Sequence, residues 1–278
     1  MEPLSFIKMH GLGNDFVVID ARRRRIALSA AQVRKLADRH TGVGCDQLII
    51  VEPPGDPGAD VSMRIRNADG GEVGACGNAT RCVAAMVMRE TDRPDARIQT
   101  AAGVLHAEAA DRGTIRVDMG EVSFDWRRIP LAQPADTLHL GICAGPLRDP
   151  VAVNVGNPHA VFFVEDLAAV NLQEAGPTIA RHPLFPEATN VEAAQVLARD
   201  RVRLKVWERG VGITQACGTG ACATAAAGAR RDLLDSTVEV FLDGGVLVIS
   251  CLENGHIAMT GPVAVSFTGT VDPSLLHA

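Results

Sequence analysis

Apolar and polar residues alternate along much of the chain, which is the pattern of half-buried β-strands. The alternation is clear in VSMRIRN, TIRVDMG, VRLKVWE and STVEVFL. Helical spacing of apolar residues is confined to about 30–39, 82–90, 175–182 and 220–234. Turn-rich segments such as EPPGDPGAD and LRDPVAV interrupt these elements. The pattern predicts an α+β fold with many strands and few helices.

The chain carries one series of landmarks twice. GNDFVVID begins at Gly13 and GNPHAVFFVED at Gly156; 63 residues separate Gly13 from Cys76, and 61 separate Gly156 from Cys217. Each cysteine is followed by a helix-like segment and then by a glycine-led strand, AGVLHAEAA in the first copy and GGVLVISCL in the second. Four landmarks in the same order at nearly equal spacing indicate an internal duplication.

The duplication predicts two pseudo-symmetric domains, residues 1–120 and 121–263, with the crossover between them near 121–150. Each is expected to be a mixed or antiparallel sheet wrapped around a central helix. Equivalent cysteines, one in each half, are expected on opposite walls of a single cleft, which would then be the active site.

Composition narrows the class of protein. A hydrophobic content of 47% with 22% charged residues is that of a globular protein with a core. The net charge of −6 argues against a nucleic-acid partner. Neither a signal-peptide pattern nor an apolar run of ~18 residues is present, so no membrane partner is expected. Seven cysteines, an odd number in a chain of 278 residues, predict reduced thiols and a cytoplasmic protein.

Both Cys76 and Cys217 precede a glycine and a predicted helix. The first amides of a helix lack intrahelical acceptors and carry a partial positive charge. The helix start is therefore expected to lower the thiol pKa towards neutrality and to hold a carboxylate on the amides after Gly77 and Gly218. One turn of backbone would supply a base and an anion site together.

Two other interpretations of these cysteines remain open. A metal site would pair Cys76 with Cys82 and Cys217 with Cys222, but each pair lies about 240° or 140° apart around a helix, which is poor geometry for shared ligation. Cys76 and Cys217 are alternatively inert buried residues, as we expect of the remaining five cysteines. These are Cys45, Cys82, Cys143, Cys222 and Cys251.

Two opposed thiols around one carboxylic acid suit a particular reaction. One cysteine, as a thiolate, removes the α-proton. The other cysteine, as a thiol, delivers a proton to the opposite face of the carbon, which inverts the stereocentre. Without a cofactor as electron sink, the site must supply preorganised dipoles to the developing carbanion and exclude water.

At this point the sequence resembles the diaminopimelate epimerase family, which uses no cofactor and no metal. Six separated motifs carry the resemblance in order: KMHGLGNDF, GVGCDQLI, RNADGGEVGACGNATRC, GNPHAV, TNVE and ERGVGITQACGTGAC. The resemblance implies that 264–278 returns to the first domain, that the substrate is diaminopimelate, and that the protein is a homodimer formed through its N-terminal domain.

The resemblance also implies roles for particular residues. Cys76 and Cys217 match the family's two acid/base thiols, with Cys217 accepting the proton of the LL isomer. His159 and Glu208 match residues that assist proton transfer. The substrate contacts implied are Asn14, Gln47, Asn67, Gly77, Asn78, Asn157, Asn190, Glu208, Arg209, Gly218 and Thr219.

The chain differs from the residues usual in the family at Gly71, Ala79–Thr80, Ala160 and Ile213. Ile213 stands where glutamate is common in the family, and we expect this difference to alter the surroundings of Cys217 and the reaction rate more than the reaction class. Two alternative functions remain: a racemase for another amino acid, such as proline, hydroxyproline or histidine, and a thiol-based metal or redox protein. The polar residues implied for the far end of the substrate argue against the first, and the absence of any CxxC argues against the second.

Overall fold

A computed structural model describes residues 3–74 and 76–276. The chain divides into two compact units, an N-terminal unit of residues 3–117 and 261–276 and a C-terminal unit of residues 118–260. Within the described residues, no helix is long and apolar enough to span a bilayer.

The N-terminal unit begins with eight strands and two helices. The strands are β1 (Leu4–Gly11), β2 (Asn14–Asp20), β3 (Gln47–Glu52), β4 (Val61–Asn67), β5 (Glu72–Val73), β6 (Asp95–Thr100), β7 (Gly103–Ala109) and β8 (Ile115–Glu121), and the helices are α1 (Ala30–Ala37) and α2 (Gly77–Thr91), with a 3₁₀ turn at Asp111–Gly113. Helix α1 starts at a capping box, in which Ser29 and Gln32 bond each other's backbone N–H groups.

The C-terminal unit follows with ten strands and two helices. The strands are β9 (Cys143–Ala144), β10 (Leu147–Arg148), β11 (Val151–Asn154), β12 (Pro158–Phe163), β13 (Asn190–Ala198), β14 (Arg201–Glu208), β15 (Gly212–Ile213), β16 (Thr237–Leu242), β17 (Gly245–Cys251) and β18 (His256–Gly261), and the helices are α3 (Leu172–Ala180) and α4 (Gly218–Arg230), with a 3₁₀ turn at Leu167–Ala169. The chain then returns to the N-terminal unit with β19 (Ala264–Val271) and α5 (Pro273–Leu276).

Strand pairing is the same in the two units. In the N-terminal unit β1/β2 is antiparallel, β2/β3 parallel, β3/β4 antiparallel, β4/β6 parallel, and β6/β7 and β7/β8 antiparallel. In the C-terminal unit β11 to β14 and β16 to β18 repeat this series of directions step for step. The predicted fold class, a duplicated α+β unit, is confirmed.

A helix packs against the sheet in each unit. Helix α2 contacts β1, β2, β6 and β7, and α4 contacts β11 to β14, β16 and β17. Most residues of α4 are alanine or glycine and are buried, so the strands can approach this helix closely. Predicted helix 82–90 begins five residues earlier, at Gly77, so it follows Cys76 directly. The segment 121–150, predicted to carry the crossover within the domain 121–263, lies in the C-terminal unit, where Ile129, Leu140 and Ile142 join its core.

Gly176 shows how tightly this core is packed. A Cβ atom at Gly176 of α3 would lie 2.6 Å from Cγ of Trp207. We expect Gly176→Ala to lower the free energy of unfolding by about 1–2 kcal/mol, because overpacking costs more than the helix propensity that alanine adds. Denaturant unfolding measures this change, with Gly141→Ala as the control because a Cβ there meets nothing within 4 Å. Equal stability of the two variants would contradict the packing argument.

Candidate active site

In the N-terminal unit, Cys76 is the N-cap residue of α2. Its Sγ lies 3.9 Å from Oδ1 of Asn14, and the same oxygen accepts a hydrogen bond from Nδ2 of Asn78 at 3.1 Å. Gly77 opens the helix, whose first amides have no intrahelical acceptor. A thiol, two amide side chains and a helix N-terminus therefore lie together, a combination that can hold a carboxylate beside the thiol.

A cluster of charged residues fixes Asn14. Nδ2 of Asn14 donates to Oδ2 of Asp46 at 3.0 Å, and the backbone amides of Asp15 and Asp46 each bond the other's carboxylate. Arg39 bridges both carboxylates, and Nζ of Lys8 lies 2.5 Å from Oδ2 of Asp15. Burial alone would raise the pKa of Asp15, but the hydrogen bonds from Arg39 and Lys8 hold that pKa well below its usual range. The start of β2 is thus held by ionic contacts.

Gln47 and Asn67 form a second pair in this unit. They are register partners at the first position of β3 and the last position of β4. Nε2 of Gln47 donates to Oδ1 of Asn67 at 2.9 Å. The predicted residues of the N-terminal unit therefore form two groups, one around Cys76 and one at this strand pair.

In the C-terminal unit, Cys217 is the N-cap residue of α4 and is only 6% exposed. Its Sγ accepts a hydrogen bond from the backbone N–H of Gly220 at 3.3 Å and lies 3.5 Å from Oγ1 of Thr219. A Cβ at Gly220 would lie 3.1 Å from Oε1 of Glu192 and 3.3 Å from Sγ of Cys217. A side chain at this position would therefore crowd both groups.

A chain of polar contacts leads from Glu192 to this helix start. Oε1 of Glu192 lies 2.7 Å from Nδ1 of His159, and Nε2 of His159 lies 2.9 Å from Oδ1 of Asn157. Nδ2 of Asn157 then donates to Oγ1 of Thr219 at 3.4 Å. His159 and Glu192 are fully buried. The predicted residues His159, Asn157 and Thr219 are thus connected to Cys217.

The remaining predicted residues lie at the ends of β13 and β14. Oδ1 of Asn190 accepts a hydrogen bond from the backbone N–H of Arg209 at 2.9 Å. Nη1 of Arg209 donates to the carbonyl of Glu187 at 2.9 Å, and the side chain as a whole is exposed. Oγ1 of Thr214 donates to Oε1 of Glu208. Arg209 is therefore oriented by backbone while much of its guanidinium faces outward.

The electrostatics of Cys217 differ from the expectation. Burial raises the pKa of the Cys217 thiol well above its usual value, and a negative charge on Glu208 or on Glu192 raises it further. Hydrogen bonds from Thr219 and Gly220 lower it but do not compensate. The predicted fall of the pKa towards neutrality is wrong for Cys217, because desolvation outweighs the helix start.

The other cysteines are mostly buried, as expected. Cys45, Cys82 and Cys222 are at most 2% exposed, and burial raises the pKa of Cys45 to about 11 and that of Cys82 to about 12. Cys251 is partly buried. The prediction is wrong for Cys143, which is exposed because it belongs to the short surface hairpin of β9 and β10.

Comparison with known proteins gives the family. A family model described as diaminopimelate epimerase matches residues 6–125 and 151–266. A diaminopimelate epimerase of Rhodospirillum centenum is 54% identical over 271 residues, covering 98% of this chain and 93% of the relative. The chain belongs to the diaminopimelate epimerase family. A second relative of the same name, from Erythrobacter litoralis, is also 54% identical and covers 97% of each chain.

Solved structures share the fold at low sequence identity. A hydroxyproline epimerase from Agrobacterium vitis superposes with a TM-score of 0.71 at 16% identity, covering 99% of this chain and 94% of that one. A phenazine biosynthesis protein of the PhzF family from Bacillus anthracis gives 0.69 at 16% identity, covering 98% and 100%. These likenesses show the fold alone, which diaminopimelate epimerases therefore share with proteins of other activities.

Glu192, Thr214 and Asp46 were not predicted from the sequence as site residues. Glu192 was visible within the motif TNVE, as the one charged residue in the otherwise buried start of β13. A carboxyl group at such a position requires a partner. Thr214 and Asp46 gave no comparable signal, because their partners, Glu208 and Asn14, are set by pairing between separate strands.

The side chain of Ile213 is not buried in the core. It is 45% exposed and pairs with Trp207 between β14 and β15. Its neighbour Thr214 makes the contact to Glu208. The departure from the family's glutamate therefore changes the surface beside the strand that carries Glu208.

Proposed function

We propose that the protein converts LL-2,6-diaminopimelate into the meso isomer by two-base proton transfer without a cofactor, a step of lysine and peptidoglycan precursor biosynthesis. The observation that carries the proposal is the repetition of one arrangement, a thiol at the N-cap of a helix, in both units of a chain of this family. An asparagine contacts the thiol directly in the N-terminal unit and is connected to it through Thr219 in the C-terminal unit. A single such thiol would suit many chemistries, whereas two equivalent thiols suit inversion.

In the proposed reaction the carboxylate at the reacting centre binds backbone amides at a helix start. The thiolate of Cys217 takes the α-proton of the LL isomer, and the electron pair delocalises into that carboxylate. The thiol of Cys76 then protonates the opposite face of the carbon, which leaves Cys217 as a thiol and Cys76 as a thiolate. Amide dipoles at the helix starts stabilise the negative charge that develops.

Polar contacts of the substrate are proposed at side chains that the structure holds in fixed orientations. Near Cys76 these are Asn14 and Asn78, with Gln47 and Asn67 further along the sheet; near Cys217 they are Asn157, Asn190 and Thr219. An asparagine amide can donate to a carboxylate and accept from an ammonium group, so this residue type suits a substrate that is zwitterionic at both ends. Glu208 is proposed to assist proton transfer and to bind the ammonium group, and His159 is proposed to assist proton transfer through its contact with Asn157.

The proposal is tested by isotope exchange. The reduced protein is incubated with LL-diaminopimelate in deuterium oxide, and the α-carbons are followed by NMR. We expect deuterium to enter one centre with inversion of that centre. L-Proline and trans-4-hydroxy-L-proline serve as control substrates, because a hydroxyproline epimerase shares the fold. Exchange of a control substrate without exchange of diaminopimelate would favour the alternative racemase.

The pH dependence follows from the buried thiol. Because burial raises the pKa of Cys217, most molecules carry the protonated thiol at neutral pH. The fraction of thiolate, and with it kcat/KM for the LL isomer, is expected to rise about tenfold per pH unit below that pKa. Initial rates across the alkaline range measure this profile. A profile that is flat or falls with rising pH would contradict a Cys217 thiolate as the base.

We also propose that the protein is a cytoplasmic homodimer formed through the N-terminal unit. Strand β19 supports this, because Val265 and Phe267 on it are 46% and 50% exposed. Exposed apolar side chains on one strand are typical of a surface that a second copy covers.

Sedimentation measures the dimer directly. We expect twice the chain mass of 29.3 kDa for the wild type and at least about a tenfold weaker dimer for Val265→Lys. Leu197→Lys is the control, since Leu197 is 47% exposed but lies in the C-terminal unit. A wild type that sediments as a monomer, or equal weakening by both substitutions, would contradict the proposal.

A further inference from the structure

The hydrogen bonds of His159 restrict its protonation. Oδ1 of Asn157 can only accept, so Nε2 of His159, 2.9 Å away, must carry a proton. Nδ1 faces Oε1 of Glu192 at 2.7 Å. The pair therefore holds one proton between Nδ1 and Oε1, either as imidazolium with carboxylate or as neutral imidazole with a neutral carboxylic acid.

The environment of Glu192 favours the neutral pair. Both side chains are fully buried, and Oε2 of Glu192 has no hydrogen-bond partner among the residues that the structure describes. A carboxylate would leave negative charge on this buried oxygen without a donor, whereas a carboxylic acid leaves only a neutral carbonyl oxygen there. Burial and the carboxyl group of Glu208 both raise the pKa of Glu192, although His159 opposes them.

We propose that Glu192 is a positioning residue that acts as a neutral acid. Its carboxyl group keeps its proton and donates a hydrogen bond to Nδ1 of a neutral His159, which holds His159 as the Nε2–H tautomer. In that tautomer Nε2–H of His159 donates a hydrogen bond to Oδ1 of Asn157. The amide NH₂ of Asn157 then faces Thr219 at the start of α4. The inference rests on the proposed function for its consequence, since the oriented group belongs to the proposed carboxylate site beside Cys217.

The neutral state also matters for Cys217. Glu192 lies close enough to Cys217 that its negative charge would oppose formation of the thiolate. Because Glu192 retains its proton, it is uncharged, and Glu208 is the nearby carboxylate. The arrangement thus orients the carboxylate site without placing a second negative charge beside the base.

The first test uses the wild-type protein and no substrate. Nitrogen-15 NMR of histidine-labelled protein near neutral pH reports protonation of each ring nitrogen, and His159→Gln assigns the signal among the eight histidines. We expect Nδ1 of His159 to be unprotonated and Nε2 to be protonated. Protonation of both nitrogens would overturn the proposal, whatever the outcome of the diaminopimelate assay.

The second test compares two substitutions of Glu192. Gln can donate an amide proton to Nδ1, so Glu192→Gln is expected to keep kcat within about threefold of the wild type. Glu192→Leu has no donor and is expected to lower kcat about 100-fold with a smaller change in KM, as for a misplaced catalytic group. Thermal unfolding identifies any variant that fails to fold. Equal losses in folded Gln and Leu variants would overturn the proposal.

Discussion

Replacing either Cys76 or Cys217 by alanine is expected to lower kcat for epimerisation by about 10³-fold or more. In the proposed reaction each thiol acts as base in one direction and as acid in the other, and alanine can do neither. Both substitutions remove a small side chain at an N-cap, so the helices α2 and α4 are expected to remain. The measurement is the rate of inversion of LL-diaminopimelate, with Cys143→Ala as the control because Cys143 is exposed on a separate hairpin.

The two variants are also expected to differ in isotope exchange. Cys76→Ala keeps the base proposed for the LL isomer, so deuterium is expected to enter that isomer slowly with retention of configuration. Cys217→Ala keeps the base proposed for the opposite configuration and is expected to exchange only the meso isomer. Inversion at the wild-type rate in either variant would contradict the two-base reaction. Exchange with the opposite isomer preference would exchange the roles assigned to Cys76 and Cys217.

The duplication was predictable from sequence because it repeats residues whose roles are local. The Gly-Asn pairs Gly13–Asn14 and Gly156–Asn157 lie at the starts of equivalent strands, and each cysteine precedes the equivalent helix. Turn chemistry and helix starts are encoded over a few residues, so landmarks at matching distances identified them. The order of parallel and antiparallel pairs then followed as a consequence of one unit being present twice.

The electrostatics of the site were not predictable in the same way. The pKa of Cys217 depends on its burial and on Glu192 and Glu208, which reach it from β13 and β14. The helix start could be read from sequence, but the desolvation that outweighs it depends on tertiary packing. Glu192 illustrates the same limit, since its partner His159 is 33 residues away along the chain. Roles for Glu208 and His159 came from the family resemblance and remain proposals.

Replacing Arg209 by lysine is expected to raise KM for diaminopimelate about 10- to 100-fold with a smaller effect on kcat. Donation from Nη1 to the carbonyl of Glu187 orients the guanidinium, and the proposed role of its other N–H groups is a forked contact with a substrate carboxylate. Lysine keeps the charge but cannot form the fork, so it loses the part of binding that depends on geometry. Hydrogen bonds to charged groups are worth about 1.5–3 kcal/mol, which corresponds to the expected range.

Arg203→Lys is the matched control for this substitution, since Arg203 lies on β14 as an exposed residue of the same type. Steady-state kinetics of both variants with LL-diaminopimelate separate KM from kcat. An unchanged KM in Arg209→Lys would remove Arg209 from the substrate contacts. An equal rise in KM for Arg203→Lys would indicate a general effect of replacing an exposed arginine by lysine, and not the loss of a substrate contact at Arg209. Because the carboxylate contact is made in the ground state and the transition state alike, a loss confined to kcat would contradict uniform binding by Arg209.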